Sequence, residues 1–282
     1  MVAWGPILKS AFNIGSVLFA LLGLALVFLY FNQEHLVFFP QRLAPDFRFE
    51  FGAPFREGNL ALPSGQTANY LVFNEETRAH PAKGTILYFH GNAGSLAEWG
   101  HGALELARKT GWSVWIMDYP GFGKSPGPLP GNEKPLLALG RAFCAEIGRT
   151  HGARPLVLFG RSLGSGISAQ LARESGERAL ILETPYRSIA QLGHELYPFL
   201  PTSFARFDLN TEKVLPDLRN LPILILHGTA DEVVPYAHGQ ALSRLNPGVT
   251  FVTIPGGRHG DLSEHSEYWP AIENFLATAV ER

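Results

Sequence analysis

Ser162 stands at the centre of a glycine-flanked pentapeptide, residues 160–164, that directly follows the apolar run 155–159. A strand that enters such a turn places its serine at a tight, strained bend, with the hydroxyl pushed out of the sheet. Glycines suit the flanks because a Cβ there would crowd the turn. This pattern predicts a nucleophile, although the pentapeptide alone also fits a strand–helix turn with a helix-capping serine.

Two loops further along the chain supply partners for Ser162. Asp231 follows the apolar run 223–226, and His259 lies in a glycine-rich loop after the strand-like residues 249–254. A serine hydroxyl is a poor nucleophile, so His259 would take its proton while Asp231 fixes the imidazole tautomer. The order serine, acid, histidine, with each residue at the end of a separate strand, predicts a catalytic triad.

Other residues could fill the same roles. Glu183 also ends a predicted strand and is a rival acid, and Glu232 and Asp261 are neighbours of the chosen residues. His238 and His265 are rival bases, although both fall in helical stretches. Loop positions at strand ends favour the pair chosen above.

An oxyanion formed during acyl transfer needs backbone donors. The Leu163 N–H, at the start of the helix after the serine, is one candidate. The Asn92 N–H, in the small-residue loop 90–95 after a predicted strand, is the other. The same loop also fits a plain helix entry capped by Ser95, and both interpretations can hold together. Substrate contacts are predicted for four residues near these groups: His90, Gly91, Arg161 and Tyr186.

The elements that must position these residues follow an α/β pattern. Short apolar runs alternate with helical periodicity, which predicts a mostly parallel central sheet flanked by helices on both faces. A hairpin of residues 56–62 and 66–73 precedes this alternation. Residues 185–221 interrupt it with several aromatic side chains, broken by Pro198 and Pro201. They predict a small helical cap over the strand ends, where ligands bind in open α/β sheets.

An uncharged run of 21 residues, 11–31, precedes the enzyme-like part of the chain. As a helix it would extend about 31 Å, enough to cross a bilayer core. A cleaved signal peptide is a rival, but the usual small-residue exit is missing; a buried core helix is another, but the run is long for one. We therefore predict a transmembrane helix.

The predicted organisation has an N-terminal segment at 1–10, the anchor at 11–31, a juxtamembrane linker at 32–54 and a single domain at 55–282. Residues 34–40 either rest on the membrane surface or pack on the domain. The flanking charges do not fix the orientation, but the short leading segment favours an amino terminus inside and a domain outside.

Composition excludes several classes of function. The 282 residues carry a formal net charge of −2 and no basic run, so nucleic acid is not an expected partner. The single cysteine, Cys144, cannot form an internal disulfide, and no Cys/His cluster has zinc-site spacing. We expect no metal and no organic cofactor, and the absence of a dinucleotide-binding G-x-G-x-x-G after the first parallel strand argues against a dehydrogenase.

Five motifs together resemble the α/β-hydrolase superfamily, and particularly its membrane-anchored branch of α/β-hydrolase-domain proteins: residues 90–94, 118–125, 160–164, 227–231 and the His259 loop. The similarity covers roughly residues 55–280. It departs from the branch at Pro120, where an arginine is commoner. The resemblance implies an α/β-hydrolase fold and cofactor-free hydrolysis; members of the superfamily include esterases, monoacylglycerol and lysophospholipid lipases and protein depalmitoylases.

The leading hypothesis is hydrolysis of carboxylic esters, with lipid-like acyl chains, through an acyl-Ser162 intermediate. Cleavage of acyl-protein or acyl-CoA thioesters is an alternative that the triad does not distinguish, and a peptidase is a weaker one. A catalytically silent, membrane-tethered binding module is the alternative from a different class. The sequence predicts neither the natural substrate nor the oligomeric state.

Overall fold

The computed structural model describes residues 4–74, 82–152, 154–174 and 177–280. Its strands are β1 (Phe39–Pro40), β2 (Phe55–Ala61), β3 (Thr67–Phe73), β4 (Thr85–Phe89), β5 (Ala93–Gly94), β6 (Ser113–Met117), β7 (Leu156–Arg161), β8 (Ala179–Glu183), β9 (Ile223–Gly228) and β10 (Val249–Ile254). Its helices are α1 (Trp4–Phe31), α2 (Glu34–Val37), α3 (Leu96–Thr110), α4 (Lys134–His151), α5 (Leu163–Leu171), α6 (Ile189–Leu196), α7 (Thr211–Val214), α8 (Ala237–Ser243) and α9 (Tyr268–Val280).

Eight strands form the central sheet, in the order β10-β9-β8-β7-β4-β6-β3-β2. The six strands from β10 to β6 are parallel to one another, whereas β3 runs antiparallel to both β6 and β2. The continuously apolar strands are buried along their length, as expected when both faces of a parallel sheet are covered. The mostly parallel sheet and the preceding hairpin are therefore confirmed.

Helices cover both faces of the sheet. Successive side chains of a strand point to opposite faces. In β7, Val157 and Phe159 pack in a core with α3 and α9, whereas Leu158 packs in a core with α4 and α5. The N-terminal cap of α3 is Ser95, whose hydroxyl accepts the Ala97 N–H, as the helix-entry interpretation predicted. The carboxyl ends of the parallel strands are thus held between two packed layers.

Helix α1 does not belong to either core. Residues 13–31 of this helix have a mean hydropathy of 2.5, and none of the apolar window is buried. A core helix of a soluble domain would be mostly buried, so the structure disfavours that alternative for the described part of the helix. Length and composition suit a membrane span, and they also suit a signal sequence.

The segment after α1 packs against the sheet domain. Strand β1 pairs in parallel with β5, and the Phe38 ring is buried between Phe122 and Phe207. Farther on, Phe49 and Phe51 belong to the core that contains α3. Of the two interpretations left open for residues 34–40, packing on the domain describes Phe38, whereas Leu36 and Phe39 remain exposed.

Candidate active site

Ser162 sits on the bend between β7 and α5, with a backbone φ of +51° that a residue with a side chain seldom adopts. Its N–H donates to the Glu183 carbonyl at 2.9 Å, which ties the bend to the neighbouring strand. A Cβ at Gly160 would overlap the Gly164 carbonyl, and one at Gly164 would overlap the Phe89 carbonyl. Both glycines are thus required by close backbone packing around the strained serine.

The three predicted triad residues meet at the carboxyl ends of their strands. Ser162 Oγ lies 3.0 Å from His259 Nε2. His259 Nδ1 lies 3.0 and 2.9 Å from the two carboxylate oxygens of Asp231. This chain of contacts leaves Nε2 facing the serine when Nδ1 carries the proton, which is the arrangement for general-base activation of a hydroxyl.

The Asp231 carboxylate is held by several donors. Its Oδ1 accepts the N–H groups of Val233 and Val234, at 2.9 and 2.8 Å, and its Oδ2 lies 3.3 Å from His227 Nε2. Burial by itself would raise the pKa of Asp231, but hydrogen bonds from His227 and His259 hold it well below its usual range. The acid therefore stays ionised and can stabilise an imidazolium at His259.

His227 is a residue of the site that the sequence analysis missed. Its ring is fully buried, and its Nε2 also lies 2.9 Å from the Val234 carbonyl. A single N–H shared by that carbonyl and the carboxylate gives Asp231 a second imidazole partner besides His259. The signal available in the sequence was a histidine four residues before Asp231, at the end of the same buried strand.

The two residues predicted for the oxyanion site lie beside Ser162. Leu163 is the first residue of α5, whose opening N–H groups have no partner within the helix. Asn92 is held by two hydrogen bonds to the segment after α1. Its carbonyl accepts the Phe39 N–H at 2.8 Å, and its side chain donates to the Val37 carbonyl at 2.7 Å. Asn92, Ser162 and Leu163 line one cavity.

Two of the residues predicted to contact substrate have other partners. Arg161 forms an ion pair with Glu183 at 3.2 Å and donates to the His259 carbonyl at 3.0 Å. The His90 ring is fully buried against Trp99 and Tyr119, and burial lowers its pKa to about 4. Neither side chain is among the residues that line the cavity, and their contact with substrate stays a prediction.

The other two predicted contacts lie closer to the serine. Tyr186 lines the cavity, and its hydroxyl donates to the Leu163 carbonyl at 3.2 Å. Gly91 is close enough to Ser162 that a Cβ on it would come within 3.9 Å of the serine Cβ, and within 3.1 Å of Trp99. Their contact with substrate stays a prediction.

The rival acids and bases are engaged elsewhere. Glu183 is buried and accepts the Tyr268 hydroxyl at 2.8 Å in addition to its ion pair with Arg161. His238 contacts Glu195 at 2.7 Å. The rivals His265 and Asp261 lie 3.5 Å from each other, and Glu232 is exposed. The geometry favours the triad chosen from strand-end positions.

A cavity of about 310 Å³ opens above Ser162. Most of its wall is apolar and comes from three places: the segment after α1, the cap, and the loop that follows Asp231. Representative wall residues are Val37, Leu192, Leu200, Phe204 and Val234. A largely apolar cavity with a few polar groups at one end suits a ligand with an apolar tail and one reactive polar group.

Comparisons with known proteins agree with this fold. The sequence model of the alpha/beta hydrolase fold matches residues 84–217. Alpha/beta hydrolase domain-containing protein 17B of Homo sapiens is 30% identical over 201 residues, covering 70% of this chain and 67% of that protein. Alpha/beta hydrolase domain-containing protein WAV2 of Arabidopsis thaliana is 32% identical over 219 residues, covering 68% and 69%.

Solved structures with the same fold include two esterases. One from Pyrococcus furiosus superposes with a TM-score of 0.64 at 16% identity, covering 86% of this chain and 98% of its own. A thermophilic esterase from Thermogutta terrifontis gives a TM-score of 0.61 at 18% identity, covering 80% and 99%. At this level of identity the likeness concerns the fold alone.

Proposed function

The chain belongs to the α/β-hydrolase fold family, and on that premise we propose that it is a membrane-anchored serine hydrolase of carboxylic esters with lipid-like acyl chains. The observation that carries the proposal is the contact chain Ser162–His259–Asp231 at the base of an apolar cavity. The similarity to esterases in fold agrees with an ester substrate. A silent binding module would have no need of a strained serine aligned with a base and a buried acid.

In the proposed reaction, Ser162 Oγ attacks the acyl carbonyl carbon while His259 Nε2 takes the hydroxyl proton. The oxyanion that forms is held by the N–H groups of Leu163 and Asn92. The alcohol leaves with the proton from His259, and the acyl group remains on Ser162. Water then attacks the acyl-enzyme, gives its proton to His259, and releases the carboxylic acid and the free serine. Asp231 stabilises the imidazolium in both halves.

The cavity supports an acyl chain as the group recognised. The cavity wall is mostly apolar and carries few polar groups. Each methylene of a ligand that is buried against it would contribute about 0.8 kcal/mol to the free energy of binding. A chain of several methylenes would therefore gain affinity steadily with length until the cavity is full. This expectation favours medium or long acyl esters over acetate esters.

The membrane anchor rests on the exposed, apolar α1. Carbonate extraction of the full-length chain tests it. A span leaves the intact protein in the membrane pellet, whereas a cleaved signal sequence yields a shorter protein in the supernatant. Protease treatment of sealed membranes tests the expected orientation, with the enzyme domain outside.

The serine mechanism is tested with a fluorophosphonate probe and a series of p-nitrophenyl esters, on the full chain in detergent. Ser162→Ala should abolish labelling and lower turnover on the order of 10³- to 10⁶-fold. Ser243→Ala, at the end of α8, is the matched control and should behave like the unmodified chain. Labelling or turnover that survives in Ser162→Ala would overturn the assignment. An acyl thioester of the same chain length, run alongside, separates esterase from thioesterase preference.

A further inference from the structure

The end of α1 is joined to the cap by Arg206. The guanidinium Nη1 lies 3.1 Å from the Phe31 carbonyl and 3.4 Å from the Tyr30 carbonyl, and it pairs with Glu34 at 3.2 Å. Carbonyl groups in the last turn of a helix have no partner within the helix, so a cation placed there satisfies them and complements the helix dipole. Residues 172 positions apart in sequence are thereby tied together.

Gln33 makes the same connection from the other side. Its side chain is buried; it donates to the Phe204 carbonyl at 2.8 Å and accepts the Arg206 N–H at 2.9 Å. The rings of Tyr30 and Phe204 also contact edge to face, with centroids 5.5 Å apart. We call these five residues, Tyr30, Gln33, Glu34, Phe204 and Arg206, the anchor joint. A free linker would make none of these contacts.

The cavity mouth beside the joint is apolar and exposed. Seven large hydrophobic residues outside α1 are exposed in the described parts of the chain, and all but Phe47 lie at this mouth. Five of them line the cavity, and the sixth, Phe199, packs its ring on Tyr197. These six form the apolar rim: Leu36, Phe39, Leu196, Tyr197, Phe199 and Val233. Such concentration of exposed apolar residues marks an interaction surface.

We propose that the apolar rim is seated in the headgroup–acyl boundary of the bilayer and that the anchor joint holds it there. The inference rests on the proposed membrane span of α1. Gln33 and Phe204 belong to the joint and also line the cavity, so the span ends at the cavity mouth. A bilayer around α1 therefore reaches the rim first, and an acyl chain passes from lipid to Ser162 without crossing water.

Lipid contact is measured directly on the full chain in phosphatidylcholine vesicles. Phe199→Cys and Phe47→Cys, each in a Cys144→Ser background, carry the same environment-sensitive fluorophore. We expect a blue-shifted emission at position 199, quenched by lipids with a spin label near the headgroup, and an emission at position 47 that only an aqueous quencher reduces. Equal behaviour at both positions would overturn the proposal. Protection at 199 from both quenchers, rising with protein density, would instead indicate a second copy on the rim and would also overturn it.

Activity gives a second readout. The quantity measured is the ratio of turnover on a vesicle-embedded long-chain ester to turnover on a soluble short-chain ester. Phe199→Asp and Arg206→Gln should each lower this ratio about tenfold. The first places a charge at the hydrocarbon boundary and the second loosens the anchor joint, and either change moves the cavity mouth away from the lipid. Phe47→Asp is the matched control and should leave the ratio unchanged. An unchanged ratio in both rim and joint variants refutes the inference. Failure of the proposed function looks different: the unmodified chain would then hydrolyse neither ester, while the fluorescence still reports where the rim lies.

Discussion

Replacing Asp231 by asparagine tests the triad more sharply than removing the serine, because the change is nearly isosteric. The amide oxygen can still accept the N–H groups of Val233 and Val234. The amide nitrogen then faces His259 Nδ1, 2.9 Å from the present Oδ2. Two donors cannot share that contact, so the ring is expected to change tautomer and place its proton on Nε2, which can no longer accept the proton of Ser162.

The expected cost is a fall in kcat of about 10³- to 10⁴-fold, equivalent to roughly 4–5.5 kcal/mol of transition-state stabilisation. KM should change little, because the carboxylate does not line the cavity. The assay is turnover of the best p-nitrophenyl ester together with the rate of fluorophosphonate labelling. Circular dichroism confirms folding of each variant.

Glu232→Gln is the matched control, the same carboxylate-to-amide change on the next, exposed residue, and it should retain full activity. If Asp231→Asn kept more than about a tenth of the turnover, orientation by the carboxylate could not be the source of the effect, and the assignment of the acid would be wrong.

Three further predictions concern positions around the site. Gly160→Ala should lower Tm by about 2–4 °C or more, because the added methyl meets backbone, whereas Gly148→Ala, in open space on α4, should be neutral or stabilising. Burial raises the pKa of Asp118 to about 8, so between about pH 4 and pH 8 the carboxyl is protonated in the folded chain and loses its proton on unfolding. The free energy of unfolding, compared with that of Asp118→Asn, should therefore fall as the pH rises through this window. Denaturant titrations should show a fall of at most about 1.4 kcal/mol per pH unit. A rising or flat difference would contradict this. Arg161→Lys should lower kcat roughly 10- to 100-fold with little change in KM, because it loosens the His259 loop without changing the cavity wall. A selective rise in KM would contradict this and would support contact between Arg161 and the substrate.

Much of the site could be predicted from the sequence because its constraints are local. Glycine is needed on both sides of Ser162 because the tight bend leaves no space for a Cβ there. Short apolar runs identify buried strands, and the residues that follow Ile223–Gly228 and Val249–Ile254 must lie at the same edge of a parallel sheet. Chain order along that edge was enough to bring Asp231 and His259 to the serine.

The local sequence pattern does not tell which of two possible neighbours a side chain contacts. Arg161 precedes the serine, and the sequence alone favoured a substrate contact; only the packed sheet places Glu183 on the adjacent strand, where it captures the guanidinium. The burial of His90 likewise could not be predicted from its own loop, since it depends on Trp99 and Tyr119 from other elements.

The sequence by itself determined the candidate nucleophile, the order of its predicted partners and the length of the apolar helix, because each depends on spacing along the chain. The tertiary structure decided what surrounds them. The segment after α1 supplies part of the cavity wall and forms a hydrogen bond with Asn92. Arg206, in the cap, contacts Glu34, which follows α1 and lies 172 positions earlier in the sequence. Such contacts depend on which surfaces are brought together when the helices pack on the sheet, and no periodicity or motif in the chain specifies those surfaces.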